Sequence, residues 1–413
     1  MHSTLPSQKQ SPQLSQKDFQ RALLGDAERE AALKVIDRAI ENKTAFDRYG
    51  GQEVEAYEKE FAAHMGTRFA TAVSSGTAAV HTCLAALNLE PGSEVICPPI
   101  TDQGGIGPVL AQLCIPIFAD TDPETFNVTA ESIENCITPQ TRAIVVAHIA
   151  GEPCDMEAIM AVAEKYKLPV IEDAAQAHDA TWLDRKVGSF GTLGAFSLMN
   201  GKHHTSGGQG GMVVTNDEAL YWRAKSFADR GKNFGQPDVG GFMGLNYRMT
   251  ELEAGIGRVQ LRRLPEFIES RRRLAGILEE RLKSSKLFSL GYIPEQAQSA
   301  FWFLRVRVHL TGTSTDKEKI IAALQKYGVL AAPTYTSIIY EQTWFKDKQT
   351  FGSSEIPWSL PQCQRVPNYT HCAPNSEQAM ANHMLVVLNE SLSIDTINRM
   401  ADAMLSVEKE LLS

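Results

Sequence analysis

Lys202 is the residue of this chain best placed for covalent chemistry. It sits in the stretch Ala195–Gly211, AFSLMNGKHHTSGGQGG, just after a short apolar run that ends at Ser197. Gly201, Gly207, Gly208, Gly210 and Gly211 surround it, which is poor material for helix or sheet. Such a loop suits backbone that passes close to a ligand while one amine points into it. For a lysine taken singly, the competing reading is a solvated amine on a surface loop.

Three pieces upstream fit a phosphate-bearing, ring-shaped cofactor that carries an aldehyde. Ser74-Ser75-Gly76-Thr77 follows a strand at Phe69–Val73 and opens a helix at Ala78–Leu87. Free N–H groups and the positive dipole end at a helix start attract phosphate, Gly76 permits close approach, and Ser75 and Thr77 add hydroxyls. A plain N-cap is the alternative for this turn. Its spacing fits neither a Walker loop nor a dinucleotide fingerprint. The second piece, VIEDAAQAH at 170–178, puts Asp173 at the carboxyl end of an apolar strand, where open α/β sheets bind ligands. A carboxylate there can keep a pyridine nitrogen protonated and make the ring an electron sink, with Gln176 near a ring oxygen. A helix cap is the alternative role for Asp173. The third piece is Ser197, five positions before Lys202, whose hydroxyl can donate to the phosphate.

These groups must be positioned by alternating strands and helices. Short apolar runs at Arg68–Val73, Glu94–Cys97, Pro116–Ala119, Ala143–Ala147, Pro169–Glu172, Leu193–Ser197 and Met212–Thr215 read as strands buried on both faces. Helical patterns at Ala78–Leu87, around Val109–Gln112, at Ala130–Cys136 and at Met156–Tyr166 lie between them. This alternation predicts an α/β fold with a mainly parallel central sheet flanked by helices. Asp217–Phe227 reads as a further helix and Gly231–Tyr247 as an irregular loop. Thr250–Arg273 follows a long helical pattern interrupted at Pro265. The expected organisation is a disordered extension over residues 1–17, a large cofactor-binding domain over 18–265 and a smaller α+β domain over 266–413. In the last of these, Ile397, Met400, Ala401, Met404, Val407 and Leu411 share one helical face, read as packing.

The chain has 413 residues, enough for two packed domains, and a formal net charge of -9, which argues against nucleic acid as a partner. Seven scattered cysteines without a CxxC pair read as reduced thiols in a cytoplasmic protein. No run is long enough to cross a bilayer, so no membrane partner is expected.

The order of motifs is similar to that of the DegT/DnrJ/EryC1/StrS family of aminotransferases of fold type I, which use pyridoxal phosphate (PLP) on keto sugars. The resemblance runs from about Phe46 to Leu264, and more weakly to the C-terminus. It rests on EVEAYEKEFAAHMG at 53–66, SSGTAA at 74–79, EVICPP at 94–99, FADTDPETFN at 118–127, VIEDAAQAH at 170–178, VGSFGTLGAFS at 187–197, Lys202 with GGMVVTND at 210–217, and LNYRMTELEAGIGRVQL at 245–261. It implies that Lys202 bonds the cofactor aldehyde, that Asp173 pairs with the ring nitrogen and that Gln176 lies near the ring 3-oxygen. Gly76, Thr77 and Ser197 would hold the phosphate. Asn246 resembles the asparagine that reaches the phosphate of a neighbouring subunit, which implies a homodimer with shared active sites.

The chain departs from the family pattern in two places. Asp102, followed by Gln103, stands where many members carry an aromatic residue over the ring, so Asp102 or Gln103 is expected to touch ring or substrate. The pair His203-His204 after the lysine is unusual; it offers no metal-ligand spacing, and substrate contact or local hydrogen bonding is expected. His148, at another strand end, either lines the site or is a satisfied buried histidine. Arg230, Tyr247, Arg248 and the segment 333–337 are further acceptor contacts to test. The expected reaction moves an amino group from glutamate or glutamine to a keto sugar, in some cases nucleotide-linked, or to a related cyclic ketone. Relatives that dehydrate sugars carry histidine in place of the lysine, and a non-catalytic sensor is the other alternative.

Overall fold

Burial on both faces dictates the centre of the molecule. A computed structural model describes residues 13–236, 242–310 and 315–412. Its main sheet is built from β1 (Phe69–Val73), β2 (Glu94–Cys97), β3 (Ile115–Phe118), β4 (Thr141–Ala147), β5 (Val170–Asp173), β6 (Leu193–Ser197) and β7 (Gly211–Thr215). The spatial order is β1-β7-β6-β5-β4-β2-β3. Only β7 runs against its neighbours; β2 to β6 pair in parallel, and β1 points the same way. Every residue of β2, β3, β6 and β7 is buried, as the unbroken apolar runs require. Helices lie against this mostly parallel sheet, the α/β architecture that the sequence predicts.

Polar caps fix where the helices begin. α1 (Asp26–Glu41) and α2 (Gly51–Met65) precede the sheet. α3 (Gly76–Leu87), α4 (Gln103–Ala111), α5 (Ala130–Cys136) and α6 (Met156–Tyr166) connect its strands, and α7 (Glu218–Ala228) follows the last of them. Ser75, Asp102, Thr129, Asp155 and Asp217 each accept an N–H in the first turn of their helix. α8 (Glu251–Leu282) opens with a Thr250–Glu253 capping box and continues unbroken through Pro265. The expected interruption does not occur. Pro265 forfeits one N–H bond, but Leu261, Leu264, Phe267 and Ile268 around it are buried, and that packing outweighs the loss.

The C-terminal part carries a second sheet. Phe288–Leu290, Leu304–Val308, His383–Val386 and Ala331–Ala332 pair antiparallel in that order. Ile397, Met400, Ala401, Met404 and Val407 of the helix Ile394–Leu412 are buried in its core. The same core takes in Leu14 and Phe19, and the Leu14 N–H donates to the Tyr327 carbonyl at 3.0 Å. Residues 13–17, expected within a disordered extension, are therefore docked, because two apolar side chains find a hydrophobic seat there. Residues 1–12 of that extension lie outside the described residues, as do 237–241 of the expected loop Gly231–Tyr247. All seven cysteines are free. Among the described residues no helix is long and apolar enough to cross a membrane.

Candidate active site

The start of α3 meets the end of β6. The Ser75 hydroxyl accepts the Ala78 N–H at 3.0 Å, so the turn is a true cap. The cap leaves the amides of Gly76 and Thr77 without an acceptor inside the helix, so cap and anion cradle coexist. Ser197 closes the cradle from β6: a Cβ on Gly76 would stand 2.6 Å from the Ser197 Cβ. Asp102 caps α4 by accepting the Gly104 N–H at 2.8 Å. A Cβ on Gly104 would lie 2.5 Å from the Thr77 hydroxyl oxygen, so a glycine there lets α4 approach the cradle.

β5 ends in two acids, and strand alternation sends them to opposite sides. Glu172 is fully buried and accepts from the Gly188 and Gly191 amides, each at 2.6 Å, and from His148 Nε2 at 3.1 Å. Asp173 lines the cleft, where one oxygen accepts the Ala175 N–H at 3.1 Å. Burial pushes its carboxyl above the usual range, opposed by that amide and by the nearby Lys202 and His148. A cationic N–H opposite Asp173 would favour its ionised form.

Lys202 lines the same cleft and is only 6% exposed. Burial pushes its amine down to about 8, although Asp173 and Asp102 pull the other way. Near neutral pH a useful fraction of the amine is therefore unprotonated and nucleophilic. Its Nζ lies 3.7 Å from the centre of the Trp302 ring.

The cleft, about 780 Å³ including its open mouth, falls in the range of roughly 300–1,000 Å³ typical of small-molecule sites. It gathers Ser75, Gly76, Thr77, Asp102, His148, Asp173, Gln176, Ser197 and Lys202. Gln176 is buried, with its side-chain oxygen accepting the Ala150 N–H at 2.9 Å. His148 meets both of its expectations. It lines the cleft, yet Nδ1 accepts the Cys154 N–H at 3.0 Å and Nε2 donates to Glu172, so neither ring nitrogen is left for substrate.

Other expected residues lie elsewhere. Gln103 turns away and donates to the Gln342 side chain at 2.6 Å, because it occupies the exposed first turn of α4. His203 is fully buried, donates through Nε2 to the Ala300 carbonyl at 3.0 Å, and does not line the cleft. His204 is likewise buried against the Tyr57 hydroxyl. The unusual pair thus makes local hydrogen bonds. Tyr247 bonds His81 at 2.9 Å, Arg248 pairs with Asp229, and Arg230, at a φ of 61°, pairs with the same aspartate. Asn246 is exposed and outside this cleft. Among the described residues no group of three or more metal-ligating side chains is assembled.

Sequence reasoning missed Trp302, Met199 and Gln209, and reached Tyr335 only through the segment 333–337. Trp302 and Tyr335 meet edge-to-face at 5.1 Å and form an aromatic wall on the side of the second sheet. Their signal in sequence is faint: an aromatic cluster just before a strand, with nothing local to aim it at Lys202. An amine, a carboxylate at a neighbouring strand end and an anion cradle in one cleft fit pyridoxal phosphate, whose aldehyde, ring nitrogen and phosphate call for those three groups.

Comparisons with known proteins agree. A model of the DegT/DnrJ/EryC1/StrS aminotransferase family matches residues 27–404. The GDP-perosamine synthase of Caulobacter vibrioides is 35% identical over 286 residues, 69% of this chain and 76% of that protein. The L-glutamine:2-deoxy-scyllo-inosose aminotransferase of Micromonospora echinospora is 37% identical over 245 residues, 56% of this chain and 58% of that one. Among solved structures, an aminotransferase from Psychrobacter cryohalolentis superposes with a TM-score of 0.85 at 30% identity, covering 96% of this chain and 100% of the other.

Proposed function

Since this chain belongs to the DegT/DnrJ/EryC1/StrS aminotransferase family, we propose that it moves an amino group from glutamate or glutamine to the carbonyl of a nucleotide-linked keto sugar, with Lys202 as its reactive amine. It is a PLP-dependent sugar aminotransferase. The observation that carries the residue assignment is the burial of Lys202 and Asp173 in one cleft, Asp173 at the end of β5 and Lys202 in the loop after the adjacent parallel β6, beside the start of α3.

When bound, the cofactor supplies an aldehyde that bonds amines and a protonated ring that draws off negative charge. Asp173 holds the proton on the ring nitrogen. The Gly76 and Thr77 amides, with the Ser75, Thr77 and Ser197 hydroxyls, hold the phosphate. Gln176, in the same cleft, would stand near the ring's oxygen substituent. With the cofactor in place, Lys202 would be the amine that holds its aldehyde and, when free, the base that moves a proton at the donor Cα. Asp102, Trp302 and Tyr335 form the wall that the acceptor passes. Asn246 is exposed outside its own cleft, and it completes the cleft of a partner subunit. The free cysteines suit a reducing, cytoplasmic setting.

Lys202→Ala should abolish turnover and the visible absorbance of the bound cofactor. Purified protein with PLP and either amino donor, screened against keto sugars by mass spectrometry, measures the first; transamination retained by the variant would reject the assignment. A cyclic ketone of the inosose type is the second acceptor class, favoured by the Micromonospora relative. Dehydration is disfavoured by the lysine itself.

A further inference from the structure

The loop that carries Lys202 has no regular structure, yet four successive carbonyls in it are held by side chains. Arg21 donates through Nη1 to the Lys202 carbonyl at 2.7 Å and to that of Asn200 at 3.4 Å, and through Nη2 to His203 at 2.8 Å. The Trp302 indole N–H takes the remaining carbonyl, that of Gly201, at 2.8 Å. Both donors are themselves anchored. Arg21 Nε donates to Glu390 at 2.7 Å, and the other oxygen of Glu390 receives Arg271 at 2.8 Å and 2.9 Å. Arg271 in turn holds the Phe301 and Trp302 carbonyls at 2.8 Å and 3.1 Å. Arg271 and Glu390 are only 2% and 5% exposed, so the ion pair that anchors the two donors is shielded from water.

We propose that Arg21 and Trp302, tied together through Glu390 and Arg271, are positioning residues that hold the Lys202 amine at its reacting place. None of the three charged side chains touches the cleft, so they act through the backbone of the lysine. The inference rests on Lys202 as the reactive lysine. A flexible loop would let its long side chain swing to water; a loop fixed at four carbonyls keeps the amine buried. The groups facing that amine are Asp173 from β5, Asp102 from the turn before α4, the Trp302 ring, and His178 from the segment after β5. The first two favour its protonated form, so the buried position that the clamp enforces must itself keep the amine reactive.

The test labels the full-length protein, freed of cofactor, with a trace of acetic anhydride from pH 6 to 11 and reads Lys202 by peptide mass spectrometry. The native midpoint should lie near the value of about 8 set by burial. In Arg21→Gln it should rise by about one unit, which lowers labelling at pH 8 about fivefold. Glu390→Gln should shift it the same way. Arg21→Lys keeps the charge but not the fork, and should fall between Arg21→Gln and the native protein; it decides the matter if Arg21→Gln does not fold by circular dichroism. With cofactor restored, kcat should fall more than KM rises. An unchanged midpoint in Arg21→Lys together with one other folded variant overturns the proposal, even if activity drops. The outcome is separate from that of Lys202→Ala, which tests the lysine alone.

Discussion

Gly76 is where a single hydrogen in place of a methyl group matters. An alanine there would press on Cα, Cβ and Oγ of Ser197 at 3.1, 2.6 and 3.0 Å, and the Cα cannot swing aside. Gly76→Ala should therefore strain the cradle by about 1–3 kcal/mol. Cofactor affinity should weaken roughly tenfold, measured by absorbance titration; unaltered affinity would mean that α3 moves freely against β6. The expected residues that line the cleft share one trait with Gly76. Asp173, Ser75, Thr77 and Ser197 each sit at the end of a strand or start of a helix, and Lys202 follows β6 by five positions, so local pattern places them. Trp302 and Arg21 do not: one comes from 100 positions beyond the lysine, the other from 181 before it, and only tertiary packing brings them together. His203 misled for the complementary reason. Adjacency to Lys202 suggested the cleft, but the loop turns the ring of His203 into the core, against the Ala300 carbonyl.

The elements were legible where burial is complete. β2 and β6 fall on the residues expected, and the other five strands of the main sheet within a residue or two, since a strand covered on both faces is apolar throughout. Helix ends with a capping side chain were equally plain, as at α5 and α6. What escaped was set by context. α4 begins at Gln103, well before the expected piece around Val109–Gln112, because glycines at 104, 105 and 107 weaken the helical signal while Asp102 supplies the cap. Pro265 likewise signals a break that the packing of α8 against α1 and α2 overrides. The docking of Leu14 and Phe19 was hidden by their Gln- and Ser-rich surroundings.

Across the whole molecule, buried histidines set a pH limit on stability. Burial holds His81 and His178 down at about 4, His383 at about 3, and His203 and His204 well below the ordinary value. A histidine depressed in the folded state takes its proton first when unfolded, so stability is full above about pH 6.5 and falls below it. Glu152, pushed up to about 7, and Asp173, also raised, act in the opposite sense. The depressed histidines outnumber the raised acids, so the net effect is a loss of stability as pH falls below about 6.5. Urea unfolding at pH 7.5 and 5.5 should show a marked drop; equal midpoints would contradict it. Assembly makes a second prediction at this scale. If Asn246 serves the partner's cleft, mixing inactive Lys202→Ala and Asn246→Ala chains should restore about a quarter of native activity, since half the dimers then hold one intact site. A mixture no more active than its parts would place Asn246 elsewhere. One further consequence concerns how the chain is made. Arg21 and Glu390 are separated by 369 positions, and Leu14 and Phe19 rest in a core that includes the final helix. Translation at roughly 5–20 residues per second delivers the opening segment tens of seconds before its seat exists. The lysine loop therefore cannot be fastened until the chain around position 390 has been made and folded, and the vitamin-derived aldehyde meets its finished berth only then.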